Sequence, residues 1–275
     1  MSIHLRPERA LFRFSGPDAH KLVNDVVTGH VPHEGADAAW WALLTPQGKI
    51  LAEGLAGWAD DALWLDVHPT VADDFLKRMK MYRLRAKAEI EDLRATHRVG
   101  FSLAAPDAGL VHRDRLGPVS LGFRVIADRD AAADWSTDDT PYHAARIAAG
   151  IAELGSDFAP GDIFAHDIGM DQLEGIDFAK GCYVGQEVVS RMKHRGTARR
   201  RPVIVSGIEA EPGAPIMAGG RDSGTIGTVV AGDAVGIVRL DRITDLAGVT
   251  VADKPVTLGL PSWARYAFGE SGAED

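Results

Sequence analysis

The chain has 275 residues, of which 45% are hydrophobic and 25% are charged, and its formal net charge is −9. This length fits about two domains, and the composition is that of an ordinary globular protein, which excludes a disordered chain, a fibrous repeat or a small disulfide scaffold. The negative charge disfavours a general binder of nucleic acid or anionic membranes, because phosphates repel such a surface unless a local basic patch overrides the repulsion.

The N-terminal segment and the single cysteine bear on location. Residues 1–9 contain neither the apolar core of a signal peptide nor an Arg- and Ser-rich transit segment. Cys182 is the only cysteine, so no intrachain disulfide can form. No uncharged apolar run approaches the roughly 18 residues needed to span a membrane. From these features we expect a cytoplasmic protein with no membrane partner.

The first half of the chain mixes strand and helix signals without regular alternation. The predicted elements are, in chain order, a helix at 19–27 capped by Asp18, strands at 40–44, 49–51 and 62–67, a helix from Thr70 to about Tyr82, and a strand at 83–91. The last of these alternates strictly between polar and apolar residues, which predicts one buried and one charged face. The absence of repeated strand–helix–strand units favours an α+β fold over a doubly wound parallel sheet.

In the second half of the chain, the pattern of predicted elements changes near residue 200. A helix is predicted at 141–149, with Thr140 before it as cap and Gly150 as its stop. Short strands separated by Gly, Pro and Asp then follow, at 203–205, 225–230, 235–240 and 256–258. This spacing predicts a small all-β barrel or sandwich after a boundary near residue 200. The tail after Phe268 is expected to fray.

The segment 180–196 carries the clearest chemical signal. It predicts a glycine-flanked loop that feeds a short helix, with Val188, Val189 and Met192 as the buried stripe. Cys182 would lie just ahead of the helix N-terminus and close to Lys180, and both influences stabilise a thiolate. The alternative interpretation is that Cys182 is a small buried hydrophobe, as most free cysteines are.

Other sites have weaker support. The cysteine and the scattered histidines, including His166 and His194, give no ligand set for a structural zinc, so no metal site is predicted. The chain has no Gly-x-Ser-x-Gly elbow and no phosphate-binding loop, which argues against a hydrolase and a nucleotide-binding protein. The basic run 193–201 is either a solvated linker or a socket for an anionic ligand or acidic partner. No aromatic residues interleave with it, so base stacking is not indicated.

The run Lys-Gly-Cys-Tyr-Val-Gly-Gln-Glu at 180–187 resembles the signature of the YgfZ-type folate-binding proteins. These are relatives of the glycine-cleavage T protein, an aminomethyltransferase, and include a mitochondrial iron–sulfur assembly factor. Further segments resemble other parts of that family, at 15–19, 43–51, 175–178 and 224–229. The resemblance therefore spans nearly the whole chain.

The resemblance implies an aminomethyltransferase-like cloverleaf with mixed and antiparallel sheets. Residues 1–200 would form the folate-binding α+β region, in two interleaved subdomains, and residues 201–275 a C-terminal β-barrel. Tetrahydrofolate, or a one-carbon derivative of it, would bind in a central channel. The functional, catalytic thiol would be Cys182, and the implied cofactor contacts are Asp167, Lys180, Tyr183, Gln186 and Arg199.

Asp167 stands where relatives carry a glutamate that accepts two hydrogen bonds from the pterin. Without the resemblance, a helix cap or a surface turn is the preferred role for this residue. Arg199 belongs to the basic run, which could hold the anionic glutamate tail of folate.

The implied function is that of a tetrahydrofolate-binding accessory protein, which supports assembly or repair of iron–sulfur clusters in client enzymes and, indirectly, tRNA modification. Its partners would be folate and iron–sulfur client or assembly proteins. The alternative is a folate-dependent one-carbon transferase acting on a small amine. Ala52 replaces one of the paired carboxylates of the aminomethyltransferases, so whether the protein is an enzyme stays open. Direct tRNA binding through residues 193–201 is a third alternative, which is not expected.

Overall fold

The computed structural model describes residues 2–196 and 198–270. The first sheet consists of β1 His4–Leu5, β2 Ala10–Ser15, β3 Asp37–Leu44, β4 Ile50–Ala59, β5 Ala62–Val67, β6 Glu89–Asp92, β7 His97–Ser102, β8 Leu110–Leu116 and β9 Val119–Asp128. The second consists of β10 Arg200–Ser206, β11 Pro215–Ala218, β12 Arg221–Val230, β13 Asp233–Arg239, β14 Val249–Val251, β15 Lys254–Pro255 and β16 Thr257–Gly259. The α-helices are α1 Ala19–Asn24, α2 Pro69–Arg83, α3 Thr140–Ala148 and α4 Gln186–Arg195, and short 3-10 helices span Ala165–Ile168 and Leu240–Arg242. None of the described helices is long and apolar enough to cross a membrane.

The nine strands of the first sheet lie in the order β1-β7-β9-β8-β3-β4-β5-β2-β6. Neighbouring strands are antiparallel except β3 and β8, which run parallel where residues 37–39 face residues 113–115. This short parallel junction joins one antiparallel group, residues 10–92, to a second, residues 97–128, which also pairs with β1. The mixed sheet with few helices confirms the predicted α+β class.

Helix α2 covers the first group of strands. Its buried residues Val71, Ala72, Phe75 and Met79 recur at helical spacing, and the Phe75 ring centroid lies 5.4 Å from that of Trp41. This apolar face is what holds the helix on the sheet, because its contacts remove a continuous stripe from water. The helix predicted from Thr70 to about Tyr82 is confirmed.

The second sheet forms the nearly closed barrel predicted for the C-terminal part, in the order β15-β14-β11-β12-β13-β10-β16. We refer to the residues before Arg200 as the first region. The barrel contacts this region at Asp157, whose Oδ1 accepts a hydrogen bond from the Thr228 backbone N–H at 2.9 Å. A Cβ at Gly227 would lie 2.0 Å from the same oxygen, so only glycine permits this approach. Arg146 holds the other Asp157 oxygen at 2.6 Å. The division into domains at residue 200 stays a prediction, and Arg200 is the first residue of the second sheet.

The predicted strand at 83–91 is wrong in its first half. Helix α2 continues through Arg83, Leu84 is exposed, and only the last part of the segment enters a strand, at Glu89–Asp92. Between them the backbone N–H of Lys87 donates to Asp18 Oδ2 at 2.7 Å, so this stretch is bonded to a turn and not to a neighbouring strand. Because the Asp18 side chain accepts this bond, it makes no capping hydrogen bond to α1, and the predicted cap is wrong.

Other predictions differ from the structure at element ends. Helix α1 ends at Asn24 and not at residue 27, and α3 is shifted by one residue from the predicted 141–149. The predicted strands at 40–44, 62–67, 203–205, 225–230 and 235–240 are confirmed, with the last ending one residue earlier. Strands β7, β8 and β9 were not predicted. The expected frayed tail lies largely outside the described residues, since 271–275 are not among them.

Candidate functional site

The segment 177–185, which carries the cysteine, is a loop that leads into α4 and is fixed at its start. The backbone N–H of Asp177 donates to the Thr28 carbonyl at 2.9 Å, and the Thr28 hydroxyl donates to the Gly175 carbonyl at 2.7 Å. Thr28 is itself fully buried and its hydroxyl also accepts from the Ala42 N–H of β3. The loop is therefore attached to the first sheet through a single buried threonine.

Lys180 provides the second anchor of this loop. Its Nζ donates to the backbone carbonyls of Asn24 and Gly29, at 2.8 and 2.7 Å. Burial lowers the pKa of Lys180 to about 8. The ammonium therefore binds the chain itself, and the assignment of Lys180 as a folate contact stays a prediction.

The end of the loop is packed closely against the turn between β3 and β4. Gly185 has φ +83°, and a Cβ there would lie 2.6 Å from the Thr45 carbonyl oxygen, so this position requires glycine. One turn further, Val188 lies against Gly48 in the same turn. Of the predicted buried stripe of α4 only Val189 is fully buried. The helix starts at Gln186, as predicted, and Gln186 is half-buried.

Cys182 lies in the middle of this anchored loop and is exposed. Its neighbour Tyr183 points the other way, since it is buried and burial raises the pKa of its hydroxyl to about 12. The alternative interpretation of Cys182 as a small buried hydrophobe is therefore wrong. The result is a solvent-facing thiol on a segment held at both ends.

Asp167 lies in the 3-10 helix Ala165–Ile168, and the carboxylate is almost completely buried. Its Oδ2 accepts a hydrogen bond from the Phe164 backbone N–H at 2.9 Å, which is the helix-capping role considered above. Burial raises the pKa of Asp167 to about 6. Asp167 is thus a buried carboxylate, the kind of acceptor that the N–H donors of a reduced pterin need. Two of the three N–H donors of Lys180 are already bound to backbone carbonyls.

The neighbouring His166 was missed as a feature of this site. It is fully buried, and neither ring nitrogen has a hydrogen-bond partner among the described residues. Burial lowers the pKa of His166 to about 4, so the imidazole is neutral at pH 7. The sequence does not indicate this feature, because His166 is distinguished by its burial, and the burial of a single histidine is not readable from its neighbours in sequence.

The basic run 193–201 is divided in the structure, and its Thr197 lies outside the described residues. Lys193 stacks on the Phe178 ring at 3.5 Å, and Arg201 is bound to Asp171 at 2.6 Å. Arg199 and Arg200 are exposed. Of the described residues of the run, only Arg201 is buried within the fold, whereas Lys193, His194 and Arg195 are exposed like Arg199 and Arg200.

A cluster of buried charges lies inside the first region and was not predicted. Arg9 contacts Asp66 at 2.6 Å and Glu153 at 3.1 Å. Arg6 also binds Glu153, at 2.6 Å, and Arg124 binds Asp66 at 2.5 Å. The side chains of all five are at least nine-tenths buried, so these pairs are shielded from water and salt.

This cluster surrounds a cavity of about 30 Å³, which has room for about two water molecules. Three of its lining atoms have no hydrogen-bond partner among the described residues, namely Asp114 Oδ1, Arg124 Nε and Glu153 Oε2. Burial raises the pKa of Asp114 to about 7. Asp114 therefore titrates near neutral pH, and burial raises the pKa of Glu53 in the same lining as well.

The carboxylate retained beside Ala52 belongs to the same cluster. Glu53 accepts hydrogen bonds from the Trp40 indole N–H at 2.7 Å and from the Leu154 backbone N–H at 3.2 Å. Ala52 is buried in the apolar core. With its oxygens in use and little space beside it, Glu53 offers poor support for one-carbon transfer at this position.

The two sheets and their connection define an aminomethyltransferase-like fold. The glycine cleavage system aminomethyltransferase T from Bartonella henselae superimposes with a TM-score of 0.73, over 97% of this chain and 87% of that one. The two sequences are 13% identical, so this similarity concerns the fold alone.

More specific similarity comes from sequence. Residues 198–266 match the family described as CAF17, C-terminal beta-barrel domain. Relatives include the iron–sulfur cluster assembly factor IBA57 homolog, mitochondrial, of Pyricularia oryzae, 32% identical over 70% of this chain and 54% of the relative. The mitochondrial IBA57 of Mus musculus is 28% identical over 84% of this chain and 72% of the relative. The chain spans about half the length of the fungal relatives it matches.

These relatives contradict the predicted cytoplasmic location. The matched IBA57 proteins of fungi, mouse and human are all named as mitochondrial, which points to mitochondria. The prediction depended on residues 1–9 and on the single cysteine. A single cysteine excludes an intrachain disulfide in any compartment, so it does not distinguish between them.

Proposed function

We propose that this protein takes part in iron–sulfur cluster assembly and that Cys182 is the residue that contacts the cluster. The observation that carries the proposal is the exposed thiol on a loop anchored by Asp177, Lys180 and Gly185. The IBA57 names of the relatives support the same role. Cysteine thiolates are the usual ligands of iron–sulfur clusters.

The single thiol limits what the protein does alone. A cluster normally takes four protein ligands, and the chain has one cysteine. The described residues contain no group of three or more histidine, cysteine or carboxylate side chains placed to hold a metal ion. A cluster bound at Cys182 is therefore completed by ligands from a partner, and the protein acts with an assembly or client protein.

Replacing Cys182 by serine tests this proposal. In cells that lack the native copy, the wild-type chain is expected to restore the activity of iron–sulfur enzymes, whereas Cys182→Ser leaves it at the level of the deletion strain. The measurement is aconitase activity in extracts, with a cluster-independent enzyme as reference. Ser190→Ala, in the half-exposed part of α4, is a matched control and is expected to restore activity. Full activity with Cys182→Ser rejects the thiol's role, and a deletion strain with normal aconitase rejects the function itself.

We further propose that the protein is of the YgfZ type and binds tetrahydrofolate through Asp167. The burial of this carboxylate supports the proposal, since a charged acceptor binds N–H donors more strongly than a neutral one. Tyr183, Gln186 and Arg199 are the remaining proposed contacts. Through its clients, the protein would then affect tRNA modification without binding RNA.

Calorimetric titration with tetrahydrofolate under reducing conditions tests the ligand. Asp167→Asn keeps an oxygen for the Phe164 N–H but removes the charge, so affinity is expected to fall about tenfold or more. Asp162→Asn, at an exposed carboxylate nearby, is the control and is expected to bind normally. If the wild-type chain does not bind, folate is not its ligand, and the proposal for Cys182 is unaffected.

A further inference from the structure

A second basic segment, stronger than the run at 193–201, lies at the end of α2. Residues 75–88 contain six basic residues and no acidic one, although the chain as a whole has a net charge of −9. The six are Lys77, Arg78, Lys80, Arg83, Arg85 and Lys87. Arg78 is bound by Asp74 at 2.6 Å, and the other five are exposed. We refer to residues 77–87 as the basic apex.

Two apolar side chains lie among these cations. Leu84 is 87% exposed and Met81 is 58% exposed, and both are among the few large apolar residues that the described surface leaves in water. The spacing of Lys77, Lys80 and Met81 places them on one face of α2, opposite the face that packs on the sheet. The helix thus presents a mixed cationic and apolar surface to solvent.

The backbone at Leu84 has an uncommon conformation. Its φ is +41°, in a region that non-glycine residues rarely adopt. The chain reverses there and is then bonded to Asp18 through Lys87. Neither burial nor a relaxed backbone accounts for a leucine at this position, and such outliers cluster at ligand-binding segments.

We propose that the basic apex binds an anionic lipid surface, with Leu84 and Met81 entering the headgroup layer and the cations contacting lipid phosphates. Clusters of four to eight basic residues on a helix are the pattern that binds anionic lipids, and an apolar contact adds to it. RNA would leave Leu84 in water, and Tyr82, the one aromatic residue of the apex, is half-buried and not placed for stacking. The acidic residues elsewhere on the surface do not prevent this binding, because interactions between exposed charges are screened beyond about 8 Å at physiological salt.

This inference does not depend on the proposed function and departs from the expectation of no membrane partner. It is tested by co-sedimentation with vesicles of mixed phosphatidylcholine and phosphatidylglycerol, and with vesicles of phosphatidylcholine alone. The wild-type chain is expected to bind the mixed vesicles, less tightly as salt rises, and not the neutral ones. The triple variant Lys80→Gln, Arg85→Gln, Lys87→Gln is expected to bind about 100-fold more weakly, since each basic residue contributes about fivefold.

Matched control variants distinguish binding by the basic apex from an effect of the protein's net charge. Arg113→Gln, Arg221→Gln, Arg265→Gln changes the net charge equally at exposed sites elsewhere, and is expected to bind like the wild type. Leu84→Ser is expected to weaken binding about tenfold, whereas Leu103→Ser, at another exposed leucine, does not. Circular dichroism checks that each variant is folded.

Four results overturn the proposal. The first two are no binding to mixed vesicles and equal losses in the two triple variants. The third is no effect of Leu84→Ser, which would show that charge alone accounts for binding. The fourth is tighter binding of the wild-type chain to a single-stranded RNA than to mixed vesicles, which would assign the apex to nucleic acid.

Discussion

Arg146→Met is expected to lower the free energy of unfolding by about 3–5 kcal/mol, the usual effect of removing one partner of a buried ion pair. Arg146 is completely buried and holds Asp157 at 2.6 Å, while its Nε donates to His143 at 2.9 Å. Methionine fills a similar volume but leaves the Asp157 carboxylate buried without its cation. Because Asp157 also bonds to Thr228, the loss extends to the contact between the first region and the barrel.

Chemical denaturation followed by tryptophan fluorescence measures this effect. Arg115→Met, at an exposed arginine paired with Asp37 at 3.3 Å, is the control, and we expect a change within about 0.5 kcal/mol. A loss at Arg146 no larger than this would mean that the buried pair contributes little. The shape of the unfolding transition is also informative, because a barrel that unfolds separately would give two transitions in place of one.

Asp114→Asn is expected to stabilise the protein by an amount that grows as pH rises from about 4 to about 7 and is constant above that. Burial raises the pKa of Asp114 to about 7 in the folded protein, and the ordinary value in an unfolded chain is about 3.9. The folded state therefore holds a proton that the unfolded state releases, so the aspartate lowers stability as pH rises between these values. Asparagine cannot ionise, and at about pH 8 the gain is up to about 4 kcal/mol.

The measurement is the difference in unfolding free energy between variant and wild type from about pH 4 to pH 8. Groups that titrate in both proteins cancel in this difference, which isolates Asp114. Asp107→Asn, at an exposed aspartate, is expected to give a flat profile. A flat profile for Asp114→Asn as well would mean that water in the cavity solvates the carboxylate in its charged form.

Local pattern was sufficient for much of the fold. The α2 helix has apolar residues at helical spacing, and residues 62–67 are a short, largely apolar run of the length that forms a fully buried strand. The segment 83–91 shows the limit of this argument. Its alternation is as regular as that of a true strand, but the bond between Lys87 and Asp18 joins residues that sequence spacing does not relate.

The candidate site shows the same difference between features that are local in sequence and features that depend on the fold. The sequence indicates the cysteine loop, because its glycines and its signature are local. The buried charge cluster was missed, since Arg9, Asp66 and Glu153 are each ordinary surface-type residues and only the fold brings them together. His166 was missed for a related reason, because an unpartnered imidazole is defined by what surrounds it.

The short parallel junction of the first sheet has a consequence for the order of folding. The pairs β3–β4, β4–β5 and β8–β9 join strands near in sequence and form quickly, whereas β2 pairs with β5 and β6 across about 50–80 residues. Joining them requires residues 37–39 to meet residues 113–115, so a loop of about 75 residues must close for three residue pairs. Closing this loop, and the equally long one that brings β6 to β2, are therefore the entropically limited steps that complete the sheet.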